Sequence, residues 1–247
     1  MHKFHERDYR FRVPPPRGMI SRTVKIRESD LAVISERDLS RKAMAVLAEY
    51  RRQIETYASS RKDFLTALAP LKDDQWAPAI VRDMMKASRT VGVGPMAAVA
   101  GAIAEYVCRD IATESDDIII ENGGDIFLLM RTRSSRITLF AGDSMLSNKM
   151  SIIIEPEKTP VAVCTSSATV GPSLSFGRAD AACVVSHSGA LADAAATLLC
   201  NKTKKRDDIK TSLELAETIE GVQGAVLIMG DTFGAWGDVE LGDAGPA

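Results

Sequence analysis

Aromatic side chains are scarce in this sequence. Phe, Trp and Tyr together supply 5% of the 247 residues, too few for the stacking platforms that hold single-stranded nucleic acid. An excess of one charge is also lacking. Thirty-one basic residues stand against 33 acidic ones, for a net charge of -2, so no positive field draws in a phosphate backbone. Long hydrophobic runs are missing as well. The first residues, MHKFHERDYRFR, are charged from the second position and hold neither the apolar core of a signal peptide nor a lipid-attachment cysteine. The longest small-apolar stretch, Gly94 to Ala104, stops at Glu105 and is too short to span a bilayer. The expectation is a cytoplasmic protein with no nucleic-acid and no membrane partner.

Metal-ligand spacing is equally sparse. His2 and His5 lie on a terminus and His187 stands alone, which argues against a histidine metal site. The four cysteines, Cys108, Cys164, Cys183 and Cys200, are far apart, form no C-x-x-C pair and sit in apolar surroundings. They read as buried free thiols.

What is present is core-forming material: 45% hydrophobic and 26% charged residues, enough for one sizeable domain. No linker divides the chain. It reads as one domain over 1–247, with an N-terminal hairpin and helices in 1–90 and a motif-bearing core over 91–241. Alternation predicts strands at Tyr9 to Val13, and a hairpin of Thr23 to Ile26 and Leu31 to Ile34 turning near Glu28 to Asp30. Helical spacing marks Asp38 to Ala58, Ser60 to Ala69, Trp76 to Ser88, Met96 to Ile111, Ala190 to Cys200 and Asp207 to Ile219. Further strands are expected at Ile118 to Ile120, Ile126 to Met130, Ile137 to Ala141, Ser151 to Glu155, Val161 to Cys164, Ala181 to Ser186, Ala225 to Met229 and Trp236 to Leu241, with a frayed tail from Gly242 to Ala247. Strands joined by hairpin-length links, with helices interspersed, favour α+β layers over a doubly wound parallel sheet.

Four segments could carry chemistry. Gly92-Val93-Gly94-Pro95 precedes a helix of small residues. It suits either a tight helix entry or an anion held at a helix N-terminus. It is neither a P-loop nor a dinucleotide fingerprint. Glu121-Asn122-Gly123-Gly124-Asp125 is an Asn-Gly hairpin turn, or a turn whose amides and Asp125 hold a ligand or metal. Thr165 to Arg178, TSSATVGPSLSFGR, is longer than a hairpin needs. It is either a surface connection or a hydroxyl-lined phosphate loop. In Ala192-Asp193-Ala194-Ala195-Ala196-Thr197, Asp193 and Thr197 project from one helix face. A carboxylate and a hydroxyl suit Mg²⁺, although an acid in a first helical turn is favourable without any ligand.

In this order the segments resemble the ApbE-like superfamily, whose members carry an N-x-G-G-D-type turn, a Thr-Ser-Gly loop and a late A-D-A-x-A-T helix. The counterparts here are Asn122, Gly123, Gly124 and Asp125; Thr165, Ser166 and Ser167; and Ala192 to Thr197. The small-residue helix from Gly94 falls where the family has its own. The resemblance covers roughly residues 90 to 200. It implies an ApbE-like fold of mixed or antiparallel sheets layered with helices. It also implies Mg²⁺ held by Asp193 and Thr197, FAD bound at the glycine-rich and hydroxyl-lined segments, and FMN transfer to a protein threonine or FAD hydrolysis. Three family features differ. No histidine stands in Pro172 to Gly177, where catalytic members have a His-Ile-Ile-Asp-Pro-type segment. No lysine occurs in Met96 to Ala100. Ser167 replaces the glycine of Thr-Ser-Gly.

Three readings follow: an Mg²⁺-dependent enzyme acting on FAD with Asp193 and Thr197 as its catalytic residues; a flavin or nucleotide binder without turnover; or a fold serving another ligand, an acceptor or partner protein, or a homo-oligomer. Tyr50, Arg51 and Arg52 are candidates for a protein interface in the last reading, or else part of a solvated charged face.

Overall fold

The computed structural model describes residues 14–170 and 176–244. A first hairpin pairs β1 (Ile20–Ile26) with β2 (Ser29–Ser35). Helix α1 (Ser40–Ser60), the single turn α2 (Asp63–Thr66) and α3 (Ala79–Val91) follow. A 3₁₀ turn at Pro95–Ala98 opens α4 (Val99–Ile111). Then come β3 (Asp117–Asn122), β4 (Asp125–Met130), β5 (Ser135–Thr138), β6 (Met150–Ile154), β7 (Val161–Ser166) and β8 (Ala181–Ser186). Helices α5 (Gly189–Lys202) and α6 (Asp208–Glu217) precede β9 (Val222–Met229), β10 (Thr232–Gly237) and β11 (Glu240–Asp243).

Eight strands form one sheet in the order β1-β2-β3-β4-β7-β8-β9-β10, and three form a second in the order β11-β6-β5. Every described pairing is antiparallel. The α+β class expected from the sequence is therefore the one observed.

Period-two alternation explains how one sheet serves two cores. Along β3, Ile118 and Ile120 face the helices while Ile119 faces the small sheet. On β7, Ala162 and Cys164 face the helices and Val161 and Val163 face away. The large sheet is thus sandwiched, with helices on one face and the three-stranded sheet on the other. Both faces are apolar, which is why these strands read as near-continuous hydrophobic runs. No single helix among the described residues is long and apolar enough to cross a membrane.

Departures from the sequence expectations have local causes. The helix expected over Ser60 to Ala69 shrinks to α2. Its residues beyond Thr66 are extended, with Ala67 at ψ 129, because the Ala67 carbonyl packs against Gly94. A Cβ on Gly94 would lie 1.8 Å from that oxygen. The strand expected from Trp236 to Leu241 breaks at Gly237 (φ +83), where the chain leaves the large sheet for the small one. The first hairpin turns at Arg27-Glu28, with Arg27 in the left-handed region. β5 starts two residues earlier than expected and ends at Thr138. Gly242 and Asp243, assigned to a frayed tail, pair with β6 in β11. The strand expected at Tyr9 to Val13 lies outside the described residues, except for its neighbour Pro14.

One buried carboxylate holds a corner of this frame. Asp117, fully buried, accepts hydrogen bonds from the amides of Arg131 (2.8 Å) and Thr132 (3.0 Å), from the Thr132 hydroxyl, and from Arg133 Nε (2.6 Å). Burial pushes this acid up, but the Thr132 and Arg131 donors and the Arg133 bond outweigh it and hold the group below its ordinary 3.8. Because the folded state lowers the pKa, the contribution is complete above the unfolded value and is lost as pH falls through the folded one. Asp117→Asn leaves four donors facing one carbonyl and an amide. We expect it to cost about 3–5 kcal/mol at pH 7, the range for breaking a buried charge pair. In urea unfolding the gap to the wild type should narrow at pH 3; an equal gap at both pH values would rule out the ionised clamp.

Candidate functional site

The Asn122–Asp125 turn brings the first pieces together. Gly123 (φ +73) and Gly124 (φ +101) both take left-handed backbone, as a two-residue hairpin requires. Asn122 and Asp125 therefore stand directly opposite one another. Both lie on the helix-facing side of the sheet, by alternation with Ile120 and Phe127. The turn is tied by Glu121 Oε1, which accepts from the Gly124 amide at 2.7 Å. The Asn-Gly hairpin turn expected from the sequence is the one observed.

Two helices close over this face. α4 and α5 cross at glycines: a Cβ on Gly101 would lie 2.2 Å from the Gly189 carbonyl, and one on Gly189 2.3 Å from the Gly101 carbonyl. Only the absence of both side chains permits that approach. The crossing puts Asp193 against the start of α4. Its Oδ2 accepts from the amides of Ala100 (3.1 Å) and Gly101 (2.9 Å). Asn122 Nδ2 donates to the Ala100 carbonyl at 3.2 Å. Glu105 secures the other side: it accepts from the Gly189 amide at 2.7 Å and pairs with Arg109 at 2.8 Å.

Asp125 is buried, and its Oδ1 has no hydrogen-bond partner. Cys164, opposite it in register, and the Thr165 amide donate to this carboxyl. Burial, then the Asp193 carboxylate, then Glu121 push Asp125 well above the ordinary carboxylate range. Burial likewise pushes Asp193 up to about 7, against the opposing pull of the Gly101 and Ala100 amides. Two acids thus share a desolvated space with no basic side chain bonded to either. Like charges so placed disfavour double ionisation.

The structure places the other expected residues as follows. Thr197 lies one turn beyond Asp193 on α5, half-buried. Ser166 ends β7 on the helix-facing side. Thr165 points to the opposite face, where its side chain meets the Cys183 thiol; only its amide reaches Asp125. Ser167 is buried and caps its own loop, accepting from the amides of Thr169 (3.1 Å) and Val170 (3.0 Å). Gly94 is the packing point against Ala67 described above. The amides of Ala100 and Gly101, where an anion was conceivable, already hold Asp193. Cys164 and Glu105 were not singled out by the sequence. Cys164 gains its place only from strand register, whereas an acid inside an alanine-rich helix was a readable signal for Glu105. Asn122, Asp125 and Asp193 are therefore brought together, while Gly94, Ser167 and the Thr165 hydroxyl are held elsewhere. Among the described residues no cluster of three or more His, Cys, Asp or Glu side chains is arranged to hold a metal.

The layered frame is that of ApbE-like proteins. Solved structures with this fold include the Pseudomonas stutzeri flavinyl transferase ApbE in its apo form, at TM-score 0.53 and 13% identity, covering 89% of this chain and 94% of that one. Another is the ApbE protein of Thermotoga maritima, at TM-score 0.56 and 11% identity, covering 87% and 96%. The chain belongs to the family described as AbpE bacteria, whose model matches residues 14–240. Its relatives include the UPF0280 protein of Methanosarcina acetivorans, 36% identical over 91% of this chain and 89% of that one. The UPF0280 protein MJ1526 of Methanocaldococcus jannaschii is 38% identical over 87% and 89%.

The raised acid at Asp193 has a sign that can be tested. The folded state keeps its proton to about 7, whereas the unfolded chain releases it near 3.8. Folding therefore becomes less favourable as pH rises between those values. In metal-free buffer the wild type should lose thermal stability from pH 5 to pH 8. Asp193→Asn, which keeps an acceptor for the two amides, should flatten that slope and melt higher than wild type at pH 8. A variant with an unchanged slope would place the titration elsewhere.

Proposed function

We propose that this chain binds FAD together with Mg²⁺ at the junction of β4, α4 and α5, and that it cleaves the flavin pyrophosphate, either to transfer FMN to a protein acceptor or to hydrolyse FAD. The observation that carries this reading is the buried Asp125 oxygen without a partner, next to a second acid already fixed by two amides. A buried carboxylate with an unpaired oxygen beside a half-buried one is costly without a cation, and an all-oxygen donor set is the kind a hard divalent ion takes. The residues present therefore fit Mg²⁺: Asp125 and Asp193 would hold it, with the Thr197 hydroxyl one turn away. When bound, such an ion withdraws charge from pyrophosphate oxygens as the P–O bond breaks.

The chain's own groups do the rest. The Ala100 and Gly101 amides fix the Asp193 carboxylate, so its free oxygen keeps one direction. Asn122 ties the hairpin to α4 and holds Asp125 in register with α5. Gly124 leaves its surroundings open: a Cβ there would meet only the Thr165 carbonyl, at 3.7 Å. Ser166, at the end of β7, offers a hydroxyl on the same face. The likeness of the fold to a flavinyl transferase supports flavin as the ligand class.

A second reading, a flavin binder without turnover, rests on one observation. The single histidine among the described residues, His187, has Nδ1 engaged with the Pro160 carbonyl (2.8 Å) and Nε2 with Gln223 (2.8 Å). It serves the β8–α5 joint rather than a proton transfer at Asp125.

The deciding measurement follows FAD by chromatography over time with the pure protein and Mg²⁺. Turnover is expected, abolished by chelation and reduced about 100-fold or more by Asp193→Ala, the scale for losing one fixed electrostatic contact in a water-excluded site. Intact FAD that nevertheless quenches or shifts its fluorescence on binding would select the second reading. No binding and no cleavage would end both.

A further inference from the structure

A second site lies at the far edge of the large sheet, unrelated to the acid pair. Strand β10 (Thr232–Gly237, TFGAWG) is the last strand, and among the described residues its outer side pairs with nothing. Which of its groups face outward follows from the hydrogen bonding of its neighbour. The Ile228 carbonyl accepts from Asp180 on the β8 side, so the main chain of Ile228 points away from β10. Its partner in register, Phe233, therefore also turns its N–H and C=O away from β9. By alternation Ala235 does the same.

The two sheet edges differ in kind. β1, at the opposite end, carries Arg22 and Lys25, the charges with which edge strands resist pairing. β10 carries no charge and no proline, and its Phe233 is 46% exposed. A groove of about 480 Å³ runs between this strand and α6, lined by Ile209 and Leu213, with Lys210 and Glu214 on its rim. Gly234 forms its floor, since a Cβ there would come within 2.8 Å of Ile209 and Leu213.

We propose that β10 pairs with β10 of a second copy of this chain about a two-fold axis through Gly234, joining the two eight-stranded sheets into one. An antiparallel pairing centred there sets Phe233 opposite Ala235 of the partner, and Ala235 opposite Phe233. Each pair exchanges two N–H···O bonds, giving four, and sets a large side chain against a small one on the same face. The helices match too. α6 packs on β9 and β10 alike. With strands about 4.8 Å apart, it sits about 5 Å from the axis, and the two α6 helices lie about 10 Å apart, a normal packing distance.

Charge complementarity names the occupant as a second copy. On the flank of α6 that lines the groove, exposed Lys210 stands in the first half and Glu214 and Glu217 in the second, while Asp207 and Asp208 open the helix and Arg206, ahead of it, is held by Asp231 at 2.7 Å. Because Gly234 touches α6 at Ile209 and Leu213, the axis passes near the middle of the helix. The antiparallel copy then places its Glu214 beside Lys210, and its Lys210 beside Glu214. A single patch that complements itself is what a two-fold interface requires.

Sedimentation equilibrium of the full chain tests this. The wild type should show twice the chain mass. Phe233→Lys, a change at an exposed side chain, should return the mass to that of one chain with an unchanged circular dichroism spectrum. Ala235→Pro, which removes an outward N–H, should do the same. Lys210→Glu should weaken the dimer at least tenfold, and the added Glu214→Lys should restore it. A wild type that stays monomeric at high concentration, or a dimer unmoved by Phe233→Lys, would overturn the proposal.

Discussion

The crossing of α4 and α5 at Gly101 and Gly189 is the constraint on which the rest depends. Two helix backbones approach closely enough for a carbonyl to occupy the space of a missing side chain. That contact delivers the Asp193 carboxylate to the first amides of α4 and sets α5 against β7 and β8. It also brings the start of α5 to Glu105, whose pairing with Arg109 holds it in turn. Arg109 lies over the Phe127 ring at 5.1 Å, so the same chain of contacts ends on β4, next to the acid pair. Helix crossing, sheet face and site are one mechanical unit.

Much of this was legible beforehand because it is written in local patterns. The glycine pair of the turn suited positive φ, and the apolar runs on either side of it were readable as strands. Helical spacing around Asp193 predicted the helix observed as α5. Its order with the Gly-Gly-Asp turn pointed to the ApbE-like fold that the structure has. Other features depend on contacts between distant residues and left no local trace. Gly94 read as either a tight helix entry or an anion site, and its close approach to Ala67, 27 positions earlier, requires a glycine there. Cys164 looked like an inert thiol and faces Asp125 only because β4 and β7 pair in one register. Thr165 and Ser166 looked equivalent, yet strand alternation sends their side chains to opposite faces.

The candidate interface at α1 fared similarly. Arg51 is tied within the chain to Ser29, Glu28 and Glu55, and the Tyr50 hydroxyl bonds Asp110 while its ring packs edge-on against Tyr106. Tyr50 and Arg51 are thus engaged within the chain, while Arg52 pairs with Glu49 on its own helix and stays exposed. Surface charge patterns do not reveal whether their partners are supplied internally.

The occupation of the α4 N-terminus by Asp193 has one further consequence. A helix start that would ordinarily welcome a phosphate is already neutralised by an internal anion, and the space around it is electronegative. On the proposed reading, a bare pyrophosphate would find those amides taken, and a divalent ion held by the two acids would reverse the local sign. On the proposed reading, the ion and the dinucleotide must strengthen each other's binding by the same factor, since such linkage is reciprocal. The protein would then act as an AND gate, assembling its site only when both arrive.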